Sequence, residues 1–496
     1  MTAYLRPGVF VEETLNPLPP ALGSNATSVA AFIGAIDRGP ADVTAITSWS
    51  QFTNLYGGYG TQNQVHLAVL LFFSNGGGTC YVRRTIGSGA AIATRSFNDR
   101  AETPASTLRL LAANPGTWGN DLNVTIQNSA SGTGVDLIVF QGGTSTSNIV
   151  EKFTDLTMGA NDPRYLVGVV NGQSKYLVAG DLGSSATGAD RLPVTATNQY
   201  LASGANGAAV TASTIASDIA AFDVVHNSLL INAPGVTDST AIGQIINYAE
   251  TRGDAFVIID PVAGNVASQI STADSYTPSS YAAVYYPKIV VKDPTSSVSG
   301  VTLEANPGGA IAGVFASTDA SRGVFKAPAG LGARIAGAVS VATLTNTELD
   351  TMNSNGAAVN ALRYITGSGI VVMGSRTLNP TFVDKYVPVR RTLIYLRKSM
   401  TELTQFAVFE PNDEKLWRRI NAALDGFLRD FWRQGGLRGT APAQAFFIKC
   451  DADNNPQASI DNGYVNIEVG VALQRPAEFV VIKISQFDGG TTVTVA

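Results

Sequence analysis

Nucleophilic catalysis needs a base beside a serine, cysteine or threonine, and this chain offers two histidines in 496 residues, His66 and His226. His226 stands just before the apolar run Leu229–Ile231. Asp260 ends the next run, Phe256–Ile259, so an Asp–His pair can be drawn. The third partner is missing: no G-x-S-x-G elbow and no subtilase-type serine segment is present. Asp260 is followed by Pro261 and reads as a strand stop. The stretch Asp451-Ala-Asp453-Asn-Asn455 hints at a calcium loop but lacks glycine at the sixth position and glutamate at the twelfth, so a polar turn is expected. Gly76–Gly78 lack the Gly-Lys-Ser/Thr of a phosphate loop. Cys80 and Cys450 have no metal-ligand spacing and point to a reducing compartment without a disulfide framework. No catalytic residue, metal site or cofactor is expected.

The remaining chemistry is charge. Residues 381–440 hold eleven Lys and Arg against seven Asp and Glu, a local excess of four in a chain whose net charge is −5. Within them lies the most regular helical pattern of the sequence, over 412–434. Asn412 is the expected N-cap, Asp413 and Glu414 suit the first turn, and Gly435 follows the last turn. Leu416, Ile420, Ala423, Leu424, Phe427, Leu428 and Phe431 recur at three- and four-residue steps, beside Trp417 and Trp432. Arg418, Asp425, Arg429 and Arg433 fall opposite, so that face reads as mostly basic. A basic patch on an acidic chain suggests an acidic partner surface. The cationic strip has no interleaved aromatic residues, which argues against direct nucleic-acid binding.

Those residues need a scaffold, and the composition supplies one. Only 14% of residues are charged and 45% are hydrophobic, so a large core can form. Little charge remains to cover an isolated surface, a hint that much of it is buried in an assembly. Length predicts about three domains. No run reaches the ~18 apolar residues of a membrane span, and the N-terminus lacks the apolar segment of a signal peptide.

Along the chain, Gly8–Glu13 reads as a short strand ahead of a proline-rich stretch. A buried strand is expected within Ser28–Gly39, a helix through Val65–Phe72 closed by Asn75–Gly78, and a strand at Cys80–Arg84. Between about 105 and 200 the runs LRLLA, LNVTI, VDLIVF, YLVGVV and KYLVA predict a small all-β sandwich. From about 208 to 375, helical and strand patterns alternate, as in an α/β domain with a mostly parallel sheet. After the long helix, strands are expected at Phe446–Lys449, 465–471 and 479–484. Thr491–Val495 is a free terminal strand. Strands without local partners must be covered, and pairing with a neighbour covers them.

In order and spacing, several segments resemble the contractile tail sheath proteins of bacteriophages and related injection machines. They are PGVFVEE (7–13), FFSNGGGTCYVRR (72–84), NPGTWGNDLNV (114–124), YAETRGDAFVIIDP (248–261), YYPKIVVKDP (285–294), GAIAGVFASTDASRGVFKAPAG (309–330), VPVRRTLIYLRKSM (387–400), VFEPNDEKLWRRI (408–420), AFFIKCD (445–451) and PAEFVVIKISQ (476–486). An adhesin or shell protein would share the β modules but not this order.

The resemblance implies a non-enzymatic, α+β multidomain subunit. Its conserved α/β core would be built from N- and C-terminal segments, carrying an inserted β-sandwich and an inserted α/β domain called subtilisin-like by fold. The implied divisions are an N-terminal arm 1–22, core 23–104, sandwich 105–205, subtilisin-like insertion 206–376, core 377–488 and C-terminal arm 489–496. Such subunits stack as six-fold rings around an inner tube and contract to drive it through an envelope. Implied partners are copies of itself, the tube protein, and baseplate and terminator or cap proteins. No direct nucleic-acid contact or membrane insertion is implied, and assembly would take place in the bacterial cytoplasm. Strand exchange would use Val9, Phe10, Val11 and Glu12 and Thr491, Thr492, Val493, Thr494 and Val495, with linkers at Pro17–Leu22 and Asp488–Gly490. Lys415, Arg418, Arg419, Arg429 and Arg433 become candidate tube contacts. A phage tail and a non-phage injection system or tailocin share these features.

Overall fold

A computed structural model of the chain describes residues 27–479, apart from 355–357, 380 and 382–384. At its centre is an eight-stranded sheet in the order Gly369–Val372, Val359–Ile365, Ala282–Tyr286, Ala255–Ile259, Leu229–Asn232, Val29–Ala35, Cys80–Thr85, Thr44–Ile46. The six inner strands are parallel and the two edge strands antiparallel. The central strands Val29–Ala35, Leu229–Asn232, Ala255–Ile259 and Ala282–Tyr286 are near-continuous apolar runs because both faces are covered. In Val29–Ala35, Ala30 and Phe32 join one core. Val29, Ala31 and Ile33 join the other. The first core is roofed by helices Gln64–Ser74 and Gly308–Arg322, the second by Ser239–Arg252 and Val266–Ser275.

This sheet does not follow the division expected from the resemblance. Val29–Ala35 pairs in register with both Cys80–Thr85 and Leu229–Asn232 (Ala31 opposite Tyr81 and Ile231). The N-terminal strands therefore belong to the same layer as the α/β segment and do not form a separate core with the C-terminal helices. The reason is burial. A strand apolar on both faces needs a partner on each edge and a helix on each side.

The two helices on the first face cross closely. A Cβ on Gly309 would lie 2.1 Å from the Ala68 carbonyl oxygen, and one on Gly313 would lie 2.6 Å from that of Phe72. The GAIAG segment is thus a contact surface for backbone.

Residues 94–200 form two antiparallel sheets over one core. One holds Thr94–Asn98, Ser106–Ala112 and Leu177–Asp181. The other holds Ala196–Tyr200, Leu122–Asn128, Val135–Gln141 and Ile149–Leu156. YLVGVV, expected as a strand, is in the helix Leu166–Gln173. Leu166, Val169 and Val170 bury one face at helical spacing, and the Asn171 side chain exchanges hydrogen bonds of 3.0 and 2.7 Å with the Ala179 backbone. The NPGTWGN segment joins sandwich to sheet. The Arg38 guanidinium lies 5.3 Å from the Trp118 ring and 4.7 Å from that of Tyr176. Buried Arg84 donates to the carbonyls of Ile36, Asp37, Gly39 and Pro115.

The C-terminal part stacks helix Val387–Thr404 on the long helix Glu414–Arg433, which lies against the hairpin Phe446–Lys449/Glu468–Val471. It is fastened to the sheet by Arg391. That side chain forms a two-pronged pair with Asp319, donates to the Thr27 carbonyl at 3.0 Å and stacks 4.7 Å from the Phe315 ring. Both partners of the pair are nearly inaccessible to solvent (3% and 5%). Removing one would leave a buried, uncompensated charge. Arg391→Ala should therefore lower the unfolding free energy by about 3–5 kcal/mol, read from the midpoint and slope of guanidinium unfolding.

Candidate functional site: the exposed face of the long helix

The helix Glu414–Arg433 starts one residue later than its sequence pattern suggests. Asp413 is the N-cap, and its carboxylate accepts from the backbone of Lys415 and Leu416, both at 2.9 Å. Asn412, the expected cap, is used otherwise. Its carbonyl oxygen accepts from Trp417 Nε1 and its amide donates to the Tyr464 carbonyl. At the far end Gly435 has φ +85°, and Gly435 and Gly436 close the last turn onto Trp432 and Phe431. Leu416, Trp417, Ile420, Leu424, Leu428 and Phe431 are buried against the preceding helix and the hairpin.

All five predicted cations sit on the other side. At about 100° per residue they fall within an arc of about 100° and along roughly 27 Å of helix. The face is less basic than the sequence suggested. Arg418 pairs with Glu414 at 2.7 Å, Arg429 with Asp425 at 2.9 Å, and Arg433 with Asp430 at 3.2 Å. Arg419 lies 4.4 Å from the Phe406 ring. With Asp413, four carboxylates share the strip with five cations, an excess of one. Lys415 makes no ion pair among the described residues. The pairs are exposed and spaced three or four residues apart, so each stabilises the helix by only about 0.3–0.5 kcal/mol. They can be exchanged for an outside acid at small cost. Val9–Glu12 and Thr491–Val495 lie outside the described residues, as does the expected strand 479–484 beyond Phe479. The strand expected over 465–471 is confined to Glu468–Val471.

The residues weighed for catalysis are kept apart. His226 is exposed before the start of Leu229–Asn232, while Asp260 follows the end of the adjacent parallel strand, so the two occupy opposite ends of the sheet. His66 is buried edge-on against Phe52, 5.0 Å between ring centroids, and burial lowers its pKa. Asp451 accepts from the backbone of Asp453 and Asn454 and caps its own turn. Asp260 is fully buried and accepts from Gly308 N at 2.8 Å, Gly235 N at 3.1 Å and Asn232 Nδ2 at 3.2 Å. Its carboxylate thereby fills the first turn of helix Gly308–Arg322, at the carboxyl ends of the strands where open α/β sheets receive ligands. No helix among the described residues is long and apolar enough to cross a membrane.

Comparison with known proteins matches two consecutive segments of the chain. The sequence model described as the phage tail sheath protein central domain matches residues 208–378, and that of the phage tail sheath C-terminal domain matches 381–487. The tail sheath protein of Vibrio phage KVP40 is 26% identical over 179 residues, 35% of this chain, and the chain spans only 25% of that relative's length. Among solved structures, the anti-feeding prophage helical sheath in the contracted state aligns with TM-score 0.60 at 23% identity, over 98% of this chain and all of the other. The sheath of the extracellular contractile injection system PVC, also contracted, aligns with TM-score 0.55 at 23% identity, over 98% and 99%. A sheath tail protein from Listeria innocua aligns with TM-score 0.61 at 16% identity, over 86% and 88%. Mixed α/β, multidomain and matched by both models in their chain order, the protein belongs to the phage tail sheath family.

Burial pushes the Asp260 carboxyl up to about 6, against the three hydrogen bonds that pull it down. Since the folded value exceeds the unfolded one of about 3.9, the folded state holds the extra proton between them. This group's contribution is greatest below about pH 4 and falls as pH rises to about 6, by on the order of 2–3 kcal/mol. The difference in urea-unfolding free energy between wild type and Asp260→Asn should carry that slope and flatten above it.

Proposed function

We propose that the chain is the repeating subunit of a contractile sheath. It polymerises as stacked six-fold rings around an inner tube and shortens to drive that tube through a cell envelope. The observation that carries this is the presence of both family segments, consecutive and in order, in one chain. A second reading, the sheath of an injection particle rather than of an infectious phage, is supported by the alignment of nearly the whole chain with the anti-feeding prophage and PVC sheaths. On either reading the protein is a structural, non-catalytic component, meeting baseplate and terminator proteins at the ends of the polymer. The α/β portion corresponds to the family's subtilisin-like domain, here with the N-terminal strands inside its sheet. Negative-stain microscopy of the purified protein, alone and with a tube protein, tests the proposal. Hollow cylinders with six-fold end views are expected, and monomers under both conditions would refute it.

For strand exchange, the proposed receptor is the two-stranded sheet beside the long helix. Phe446–Lys449 and Glu468–Val471 pair only with each other among the described strands, so the hairpin keeps unfilled edges. Beside it Val469 and Val471 face Arg390, Leu393 and Arg397 across a cavity of about 290 Å³. The segment Val9-Phe10-Val11-Glu12-Glu13 matches that surface in pattern and charge. Chains lacking residues 1–14 or 489–496 are expected to stay folded, with an unchanged thermal midpoint, and to sediment as monomers where wild type forms polymer.

For the tube contact, the exposed strip Lys415–Arg433 is the proposed surface. Its ion pairs within the helix are weak enough to be replaced, many at once, as the sheath moves. Reversing both Arg418 and Arg429 to Glu should abolish co-assembly with the tube protein while tube-free polymer persists. Equal co-assembly would exclude those two residues.

A further inference from the structure

The loop between the two C-terminal helices presents an aromatic side chain in a conformation that costs free energy. Phe409 has φ +65° and is fully exposed (103%), and Val408 beside it is 65% exposed. A bulky residue in the left-handed region is rare, and where the surroundings impose it the strain accompanies a function. They do impose it here. Val408 N and Glu410 N bond back to Gln405 O and Ala407 O, and Asn412 is held on both sides by Trp417 and Tyr464. The strain and the exposure both go uncompensated in the isolated subunit.

At the other end of the same helix lies a cleft of about 480 Å³, bordered by Gly435, with one wall of Phe325, Ala327, Ala329 and Met373 and a polar rim that includes Arg475 and Glu478, the latter engaged by Arg376 and Tyr386. Helix Glu414–Arg433 is about 30 Å long, so Phe409 cannot reach this cleft in its own chain. Lys326 also borders it. Its ammonium donates to Ala327 O at 2.7 Å and Ala329 O at 3.4 Å, which leaves one N–H without a partner among the described residues. Phe409 is followed by the exposed carboxylate of Glu410.

We propose that Phe409 of one subunit inserts into the Phe325–Met373 cleft of a second copy, with Glu410 meeting Lys326. A knob and a cleft at opposite ends of one helix make a head-to-tail contact, which propagates as an open helical array. Burying one aromatic side chain against the apolar wall of a recess, next to a matched charge, is the arrangement that concentrates binding energy. The contact rests on the self-assembly proposed above and names one of its joints.

The test mixes Phe409→Cys chains with Met373→Cys chains and adds a short bis-maleimide. The native Cys80 and Cys450 are buried. A cross-linked dimer is expected in polymer and not in either variant alone. Phe409→Gly, which removes ring and strain together, should melt no lower than wild type yet need about tenfold more protein, or higher, to polymerise. Glu410→Lys should weaken polymer, and Lys326→Glu in the same chain should restore it. Polymer without the cross-link, or a Phe409→Gly chain polymerising at the wild-type concentration, would overturn the contact alone. Normal polymer from Phe409→Gly with lost tube binding would assign the ring to the tube and overturn it too. A Met373→Cys thiol shielded in monomers would assign the cleft to the chain's own residues. Wild type that never polymerises, with or without tube protein, would remove the self-assembly reading and this joint with it.

Discussion

The Arg391–Asp319 pair holds together three parts of the chain that share no strand. Arg391 is in the first C-terminal helix and Asp319 in a helix on the central sheet. Thr27, which donates to Asp319 at 2.7 Å and accepts from Arg391, lies in the turn just before the strand Val29–Ala35. Removing two charges from water is expensive, and only the paired geometry with its added hydrogen bonds offsets the cost. The position of the C-terminal helices, and with them the exposed strip of the long helix, depends on it. Lys398, 3.1 Å from Asp254, adds a second and more exposed tie along the same helix.

Much of this architecture is legible in residue patterns. The long helix, its C-terminal glycine and the alternation from 208 to 375 follow from spacing and caps. So do the hairpin at 446–471 and the sandwich strands. Errors arise where distant residues decide. YLVGVV is rich in β-branched residues, yet Asn171 anchors it to a strand eight residues on and its apolar positions fit a helix under the sheet. Asn412 and Asp413 are equally good caps on paper, and the choice is made by Trp417 and Tyr464, which occupy Asn412.

The candidate site shows a subtler limit. Five cations on one face are visible in the sequence, and so are the acids three and four residues away. Counting charge over sixty residues hides the local pairing that leaves the strip with an excess of one. The insertion of Val29–Ala35 between Cys80–Thr85 and Leu229–Asn232 could not be read at all. Apolar runs buried on both faces look alike, and nothing local states which one lies beside which.

That insertion has a consequence for synthesis. The first strand among the described residues, Val29–Ala35, gains its neighbour Leu229–Asn232 only after nearly all of the residues up to 232 have followed it. The charged partners of Thr27 arrive later still, at 319 and 391. Contacts this distant in sequence form slowly. Thr27 and the strand after it therefore acquire their anchorage only once most of the subunit has been translated. An unfinished chain on the ribosome lacks that anchorage, and growth of the polymer is left to completed subunits.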